Sequence, residues 1–133
     1  MNEELFIGKS ASISKTFTIK DVKEYADLSN DKNPVHLHKE YAKSSIFGQR
    51  IVHGMLVASL FSGLLGDKLP GKGTIYLGQT LCVTAPVMIG EKVTASVEII
   101  NIRDDKPIIT LQTTCVNSVG QTVINGEAIV KVS

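Results

Sequence analysis

His53-Gly-Met-Leu-Val-Ala-Ser-Leu-Phe-Ser-Gly-Leu-Leu65 decides the fold. The stretch is apolar nearly all round, and a helix of that kind belongs inside something. Gly63 in its interior costs up to about 1 kcal/mol relative to alanine, which predicts close approach by a strand or another chain. The segment is too short to span a bilayer.

C-terminal to this helix the chain reads as strand after strand. Thr74 to Thr84, Lys92 to Ile102, Ile108 to Asn117 and Thr122 to Val132 are rich in Val, Ile and Thr. Turn signals separate them: Pro86 with Gly90, Asp104 to Pro107, and Ser118 to Gly120. Such short links imply an antiparallel meander. N-terminal to the helix lies a strand, Ala11 to Ile19, with Ile13, Phe17 and Ile19 at even spacing. Asp21-Val-Lys-Glu24 resembles a capped helix start, Asn33-Pro34 ends that helix, and a short helix follows around Lys39 to Lys43. One strand, several helices and four long strands predict a single α+β domain over residues 1–133, with its sheet wrapped round the apolar helix.

Composition excludes several classes of function. Of 133 residues, 43% are hydrophobic, enough for one core. Fourteen basic and thirteen acidic residues give a net charge of +1. No run of like charge suggests a nucleic-acid partner. Met1 to Gly8 carries two acids and no apolar run, unlike a signal peptide, so a soluble cytoplasmic protein without membrane contact is expected. Cys82 and Cys115 read as small apolar core residues in a reducing compartment.

The chemistry is concentrated in Ala26-Asp-Leu-Ser-Asn-Asp-Lys-Asn-Pro-Val-His36. Asp31 and His36 lie five residues apart across Asn33-Pro34. The proline bends the chain, so both side chains can turn towards one point. Gly54 opens the apolar helix, where the first N–H groups lack intrahelical partners. A glycine there allows a ligand to approach closely. Gly54, Ala58 and Ser62 follow helical spacing and share a face with Leu65. Ser62 is therefore a candidate to hydrogen-bond the Asp31/His36 pair or its water, and Leu65 to line a pocket. His53 reads as a helix cap or a packing residue, with a direct catalytic role as the alternative. His36-Leu-His38 has the look of a metal pair, but Pro34 argues against a strand there and no third ligand is evident. His38 reads as a surface residue at the start of the short helix.

Ser29, Asp31, Asn33, Pro34, Val35 and His36 together resemble the signature of the MaoC-like, (R)-specific enoyl-CoA hydratases. The resemblance continues through Ile51-Val-His-Gly-Met-Leu56, Leu69 to Gln79, the Asp-Lys-Pro turn at 105–107 and Gly126 to Lys131. It is especially close to the short single-domain bacterial type that supplies monomers for polyhydroxyalkanoate synthesis. It implies a hotdog fold, with an antiparallel five-stranded sheet around a central helix. It implies reversible addition of water to a trans-2-enoyl-CoA, giving the (R)-3-hydroxyacyl-CoA. Asp31 and His36 would activate the water, Asn33 would help hold it, and the Gly54 N–H would serve as oxyanion donor. Ser62 and His53 would support the site, and Leu65 and Val130 would line the acyl pocket. No metal or organic cofactor is needed, and a homodimer is expected. Asn30 departs from the family's glycine, but asparagine is among the few residues that tolerate positive φ.

Three other readings stand beside this one. The same chemistry run backwards gives a dehydratase on acyl carrier protein, for which Arg50, Lys68 and Lys72 would form a basic rim. A thioesterase would need a group set to attack the thioester carbonyl. A non-catalytic acyl-thioester binding subunit would leave the acid/base set unexplained.

Overall fold

The computed structural model describes residues 5–133. Strand β1 (Ser10–Thr16) leads to helix α1 (Ile19–Ser29) and two short helices, α2 (Pro34–Leu37) and α3 (Lys39–Lys43). The long helix α4 (Gly54–Asp67) follows. Strands β2 (Ile75–Gln79), β3 (Cys82–Val83), β4 (Lys92–Ile102), β5 (Ile108–Val116) and β6 (Thr122–Lys131) complete the described chain. All strand pairs are antiparallel, in the order β1-β4-β5-β6-β2, with β3 also on β6. This is the α+β hotdog arrangement, a sheet with a long helix packed against it.

Period-two burial builds the inner face of the sheet. Val93, Ala95, Val97 and Ile99 of β4 are buried, as are Ile109, Leu111, Thr113 and Cys115 of β5. Helix α4 lays Val57, Phe61, Leu64 and Leu65 onto this face, spaced as one helical stripe. Its other face carries Met55, Ser59, Ser62, Gly63 and Gly66 and is exposed. Among the described residues the helix is thus covered on one side only. A Cβ at Gly63 would meet nothing within 4 Å, so no strand among the described residues explains that glycine.

Three expectations are corrected. The first strand stops at Thr16 rather than Ile19, because Thr18 caps α1. Its Oγ1 accepts from Asp21 N at 3.1 Å, and Asp21 Oδ2 accepts from Thr18 N at 3.0 Å. Asp21 is therefore the third helical residue of a capping box, Ile19 opens the helix half-exposed, and only Phe17 of the apolar trio is buried. Cys82 is exposed while Cys115 is buried, since β3 is a two-residue strand at the sheet margin. The strand expected over 74–84 is two strands, so the sheet has six rather than five.

The break at residues 80–81 has a visible cause. The Thr80 backbone crosses directly over Gly126 of β6, and an ideal Cβ at Gly126 would lie 1.8 Å from the Thr80 carbonyl oxygen. Thr80 N donates to Glu127 O at 2.9 Å, and Glu127 N donates to Thr80 Oγ1 at 3.0 Å. Only glycine fits under that crossing. Gly126→Ala is expected to destabilise by about 3 kcal/mol or more, at the upper end of overpacking. Urea unfolding followed by circular dichroism measures this, and wild-type stability would contradict the close crossing.

Candidate functional site

Helix α1 ends at Asn30, which adopts the left-handed conformation (φ 66°, ψ 14°) and is the one non-glycine residue with positive φ among the described residues. Ser29 then turns back on the helix. Its Oγ donates to Tyr25 O at 2.7 Å and accepts from Asp31 N at 3.1 Å. The Asp31 carboxylate accepts from Asn33 N at 3.3 Å. Asn33 Oδ1 caps α2 by accepting from Val35 N at 3.2 Å, with Pro34 as the first helical residue. A run of small polar residues thus replaces regular structure between α1 and α2, and it fixes where Asp31 and His36 stand.

His36 is buried, and its Nδ1 lies 2.8 Å from the Ile51 carbonyl oxygen. A carbonyl can only accept, so Nδ1 carries the hydrogen and the neutral ring holds its lone pair on Nε2. His53 is 2% exposed and directs Nε2–H to the Asp31 carbonyl oxygen at 3.0 Å. The two imidazoles are stacked, with centroids 3.8 Å apart and planes at 25°. Tyr25 meets His53 edge-on at 4.8 Å.

One polar atom from each of Asp31, His36 and His53 lies within 4.8 Å of the other two. Two hydrogen bonds of about 2.8 Å through one water span such a gap. A metal is less well served: the imidazole planes are nearly parallel, whereas tetrahedral ligation requires lone pairs that converge on one point.

Helix α4 begins beside this cluster. His53 is its N-cap and gives no side-chain cap, so the first-turn N–H groups are left for a ligand. A Cβ at Gly54 would come 3.2 Å from a methyl group of Val83. A cavity of about 270 Å³ is lined by His36 and Gly54 together with Phe47, Val83, Val87 and Ile124. The imidazole that can take a proton and the helix start that can hold an oxyanion therefore share one largely apolar chamber.

The remaining expected residues lie elsewhere. Ala58 and Ser62 open onto a separate groove of about 420 Å³, lined also by Tyr25, Met55, Tyr76 and Leu81. The small-residue face anticipated for α4 is thus divided between two cavities. Leu65 and Val130 are fully buried core residues. His38 starts α3 without capping it. Two contributors were not legible beforehand: the Ile51 carbonyl that sets the His36 tautomer, and Tyr25, which meets His53 edge-on.

An apolar chamber with a histidine lone pair, a nearby carboxylate and an uncapped helix start is set in a hotdog fold. Residues 7–121 match the MaoC like domain, and the chain belongs to that family. It is 50% identical over 129 residues to an (R)-specific enoyl-CoA hydratase of Aeromonas caviae, covering 97% of this chain and 96% of that one. It is 45% identical over 130 residues to an (R)-specific enoyl-CoA hydratase of Rhodospirillum rubrum, covering 98% and 90%. The solved structure of an A. caviae (R)-hydratase involved in PHA biosynthesis superposes with a TM-score of 0.97 at 49% identity, covering 99% of this chain and all of that one.

Burial makes His53 hold a proton less tightly than a free imidazole. The bond to the Asp31 carbonyl and the Asp31 charge oppose this lowering, and His36 against its face adds to it. The unfolded chain protonates this ring near pH 6.5, while the native protein does so only at lower pH. Stability tied to His53 is therefore present above about pH 6.5 and is lost as pH falls from there to the native pKa. The limiting slope is about 1.4 kcal/mol per pH unit. Thermal unfolding at pH 7.5 and 5.5 should show a larger acid loss in wild type than in His53→Gln; equal losses would contradict it.

Proposed function

We propose that this chain is an (R)-specific enoyl-CoA hydratase that adds water reversibly to trans-2-enoyl-CoA, giving (R)-3-hydroxyacyl-CoA. The observation that carries the reading is the approach of the Asp31 carboxylate to His36, whose ring lines one chamber with the uncapped start of α4. The family membership and the high identity to hydratases over nearly the whole chain support it.

Water lies between Asp31 and His36 in this reading. The His36 Nε2 lone pair takes one proton as the oxygen attacks the β-carbon, while the Asp31 carboxylate accepts a hydrogen bond from the O–H that remains and aims the oxygen. The proton gained is returned to the α-carbon from the same face, which gives syn addition. Charge on the thioester oxygen during the reaction is met by the Gly54 N–H and the α4 dipole. Asn33 holds the turn that presents Asp31, and we assign the acyl chain to the apolar interior towards Leu65 and Val130. Acid, base and backbone donors complete the reaction, so no metal or organic cofactor takes part.

A phosphate-bearing carrier is favoured by a cavity of about 380 Å³ next to the site, lined by Lys39, Lys43 and Arg50. Those cations suit the phosphates of coenzyme A and also a phosphopantetheine arm on a carrier protein. Hydration rates on crotonyl-CoA and on the matching carrier thioester separate the two substrates.

The reading extends to assembly, location and pathway. We place 1–133 as a single hydratase domain working as a homodimer. The exposed Met55 on α4 and Ile75, Tyr76 and Leu77 along β2 at the end of the sheet are apolar surface that a second copy would cover. Two free cysteines, one of them exposed, suit a reducing cytoplasm. No helix among the described residues is long and apolar enough to cross a membrane. Supply of hydroxyacyl monomers for polyhydroxyalkanoate is the role we assign.

Asp31→Asn and His36→Gln are each expected to lower kcat for crotonyl-CoA hydration by about 10²–10⁴-fold, followed as loss of the conjugated thioester absorbance. A wild-type rate in Asp31→Asn would remove the assigned mechanism.

A further inference from the structure

We propose that His53 is a positioning residue whose ring is both the floor for the His36 imidazole and the clamp on the Asp31 peptide. One side chain would then set the separation of the two groups that share the water. The inference rests on the reading of Asp31 and His36 as the acid/base pair.

Three contacts converge on this ring. Its Nε2–H reaches across 22 positions of sequence to the Asp31 carbonyl at 3.0 Å. One face lies on His36 with centroids 3.8 Å apart. Tyr25 of α1 closes on the ring edge-on at 4.8 Å. The groups facing His53 are therefore His36 from α2, Tyr25 from α1 and Asp31 from the intervening turn. The two histidines are locked in opposite tautomers, each by a backbone carbonyl: Nδ1–H for His36 and Nε2–H for His53.

The remaining nitrogen shows that this is more than packing. His53 Nδ1 is fully buried and has no hydrogen-bond partner among the described residues. A buried acceptor without a partner is costly and calls for an explanation. A phenylalanine would fill the same space without that cost, but it could not donate to Asp31. What the imidazole supplies is the Nε2–H bond together with a flat neutral face. Neutrality matters because a charged His53 would oppose proton uptake by the ring stacked on it. Small displacements of reacting groups are expensive: a shift of about 1 Å is worth on the order of 10²-fold in rate.

Two substitutions separate the two contributions. His53→Phe keeps a flat ring and loses the donor. His53→Gln keeps an amide donor for the Asp31 carbonyl and loses the stack. His53→Ala loses both, and if it fails to fold the other two decide. For each folded variant the readouts are kcat and KM on crotonyl-CoA, and the ring ¹⁵N shifts of His36 by NMR. We expect kcat to fall about 10- to 100-fold with KM within about threefold, because substrate binding is left in place. We also expect the His36 ring signals to shift and broaden in His53→Gln, where the stacked face is lost, while the Ile51 carbonyl keeps the proton on Nδ1. Folded variants with wild-type kcat and an unchanged His36 spectrum would reduce His53 to packing and overturn the proposal. That result beside an inactive Asp31→Asn leaves the acid/base reading intact, whereas an active Asp31→Asn overturns that reading itself.

Discussion

Helix α4 is held against the sheet by Val57, Phe61, Leu64 and Leu65, all essentially solvent-free. Each such side chain contributes about 1.5–3 kcal/mol when buried, so the four together supply on the order of 6–12 kcal/mol before entropy is counted. That is comparable to the net stability of a whole domain, about 5–15 kcal/mol. Everything functional is hung on this contact. It fixes the position of the α4 N-terminus, and with it Gly54 and His53. Because His53 reaches Asp31 and stacks on His36, the same contact fixes the turn that carries Asp31 and His36.

The site joins two loops that are rigid for different reasons. The turn from Ser29 to His36 has little core of its own and is held by side chain to backbone bonds: Ser29 to Tyr25, Asp31 to Asn33, Asn33 to Val35. Such bonds offer the backbone an alternative to helix and explain why α1 stops. The segment from Ile51 to His53 is instead pinned by neighbouring backbone: Ile51 pairs with Met88, and Val52 N donates to Val87 O. Two bonds, His36 to the Ile51 carbonyl and His53 to the Asp31 carbonyl, stitch the loops together reciprocally. Removing either histidine therefore disturbs both halves of the site.

Much of this was legible in residue patterns, and the failures have local causes. Strand β4 runs from Lys92 to Ile102 as expected because its alternation is regular and turn residues bound it. The Asp31-Asn33-Pro34-His36 spacing anticipated the approach of Asp31 to His36 because proline and asparagine constrain the backbone by themselves. The strand/helix boundary near Ile19 was misplaced because Ile19 continues the even spacing, while the Thr18–Asp21 capping box overrides it. The interruption at Thr80 was hidden because its cause, Gly126, lies 46 residues away. Ser62 read as sharing a face with Gly54, but a cavity is shaped by what packs opposite a helix as well as by helical spacing. The tautomer of His36 was out of reach, since it depends on a carbonyl, and every residue has one.

In the proposed reaction one water and one thioester carbonyl meet at three places: Asp31, His36 and the start of α4. A crystal structure of the protein with a bound (R)-3-hydroxyacyl-CoA product tests it most directly. The product hydroxyl is expected within hydrogen-bond distance of both the Asp31 carboxylate and His36 Nε2, with the thioester oxygen on the Gly54 N–H. A product whose hydroxyl lies away from that pair, or whose carbonyl points away from the α4 N-terminus, would contradict it.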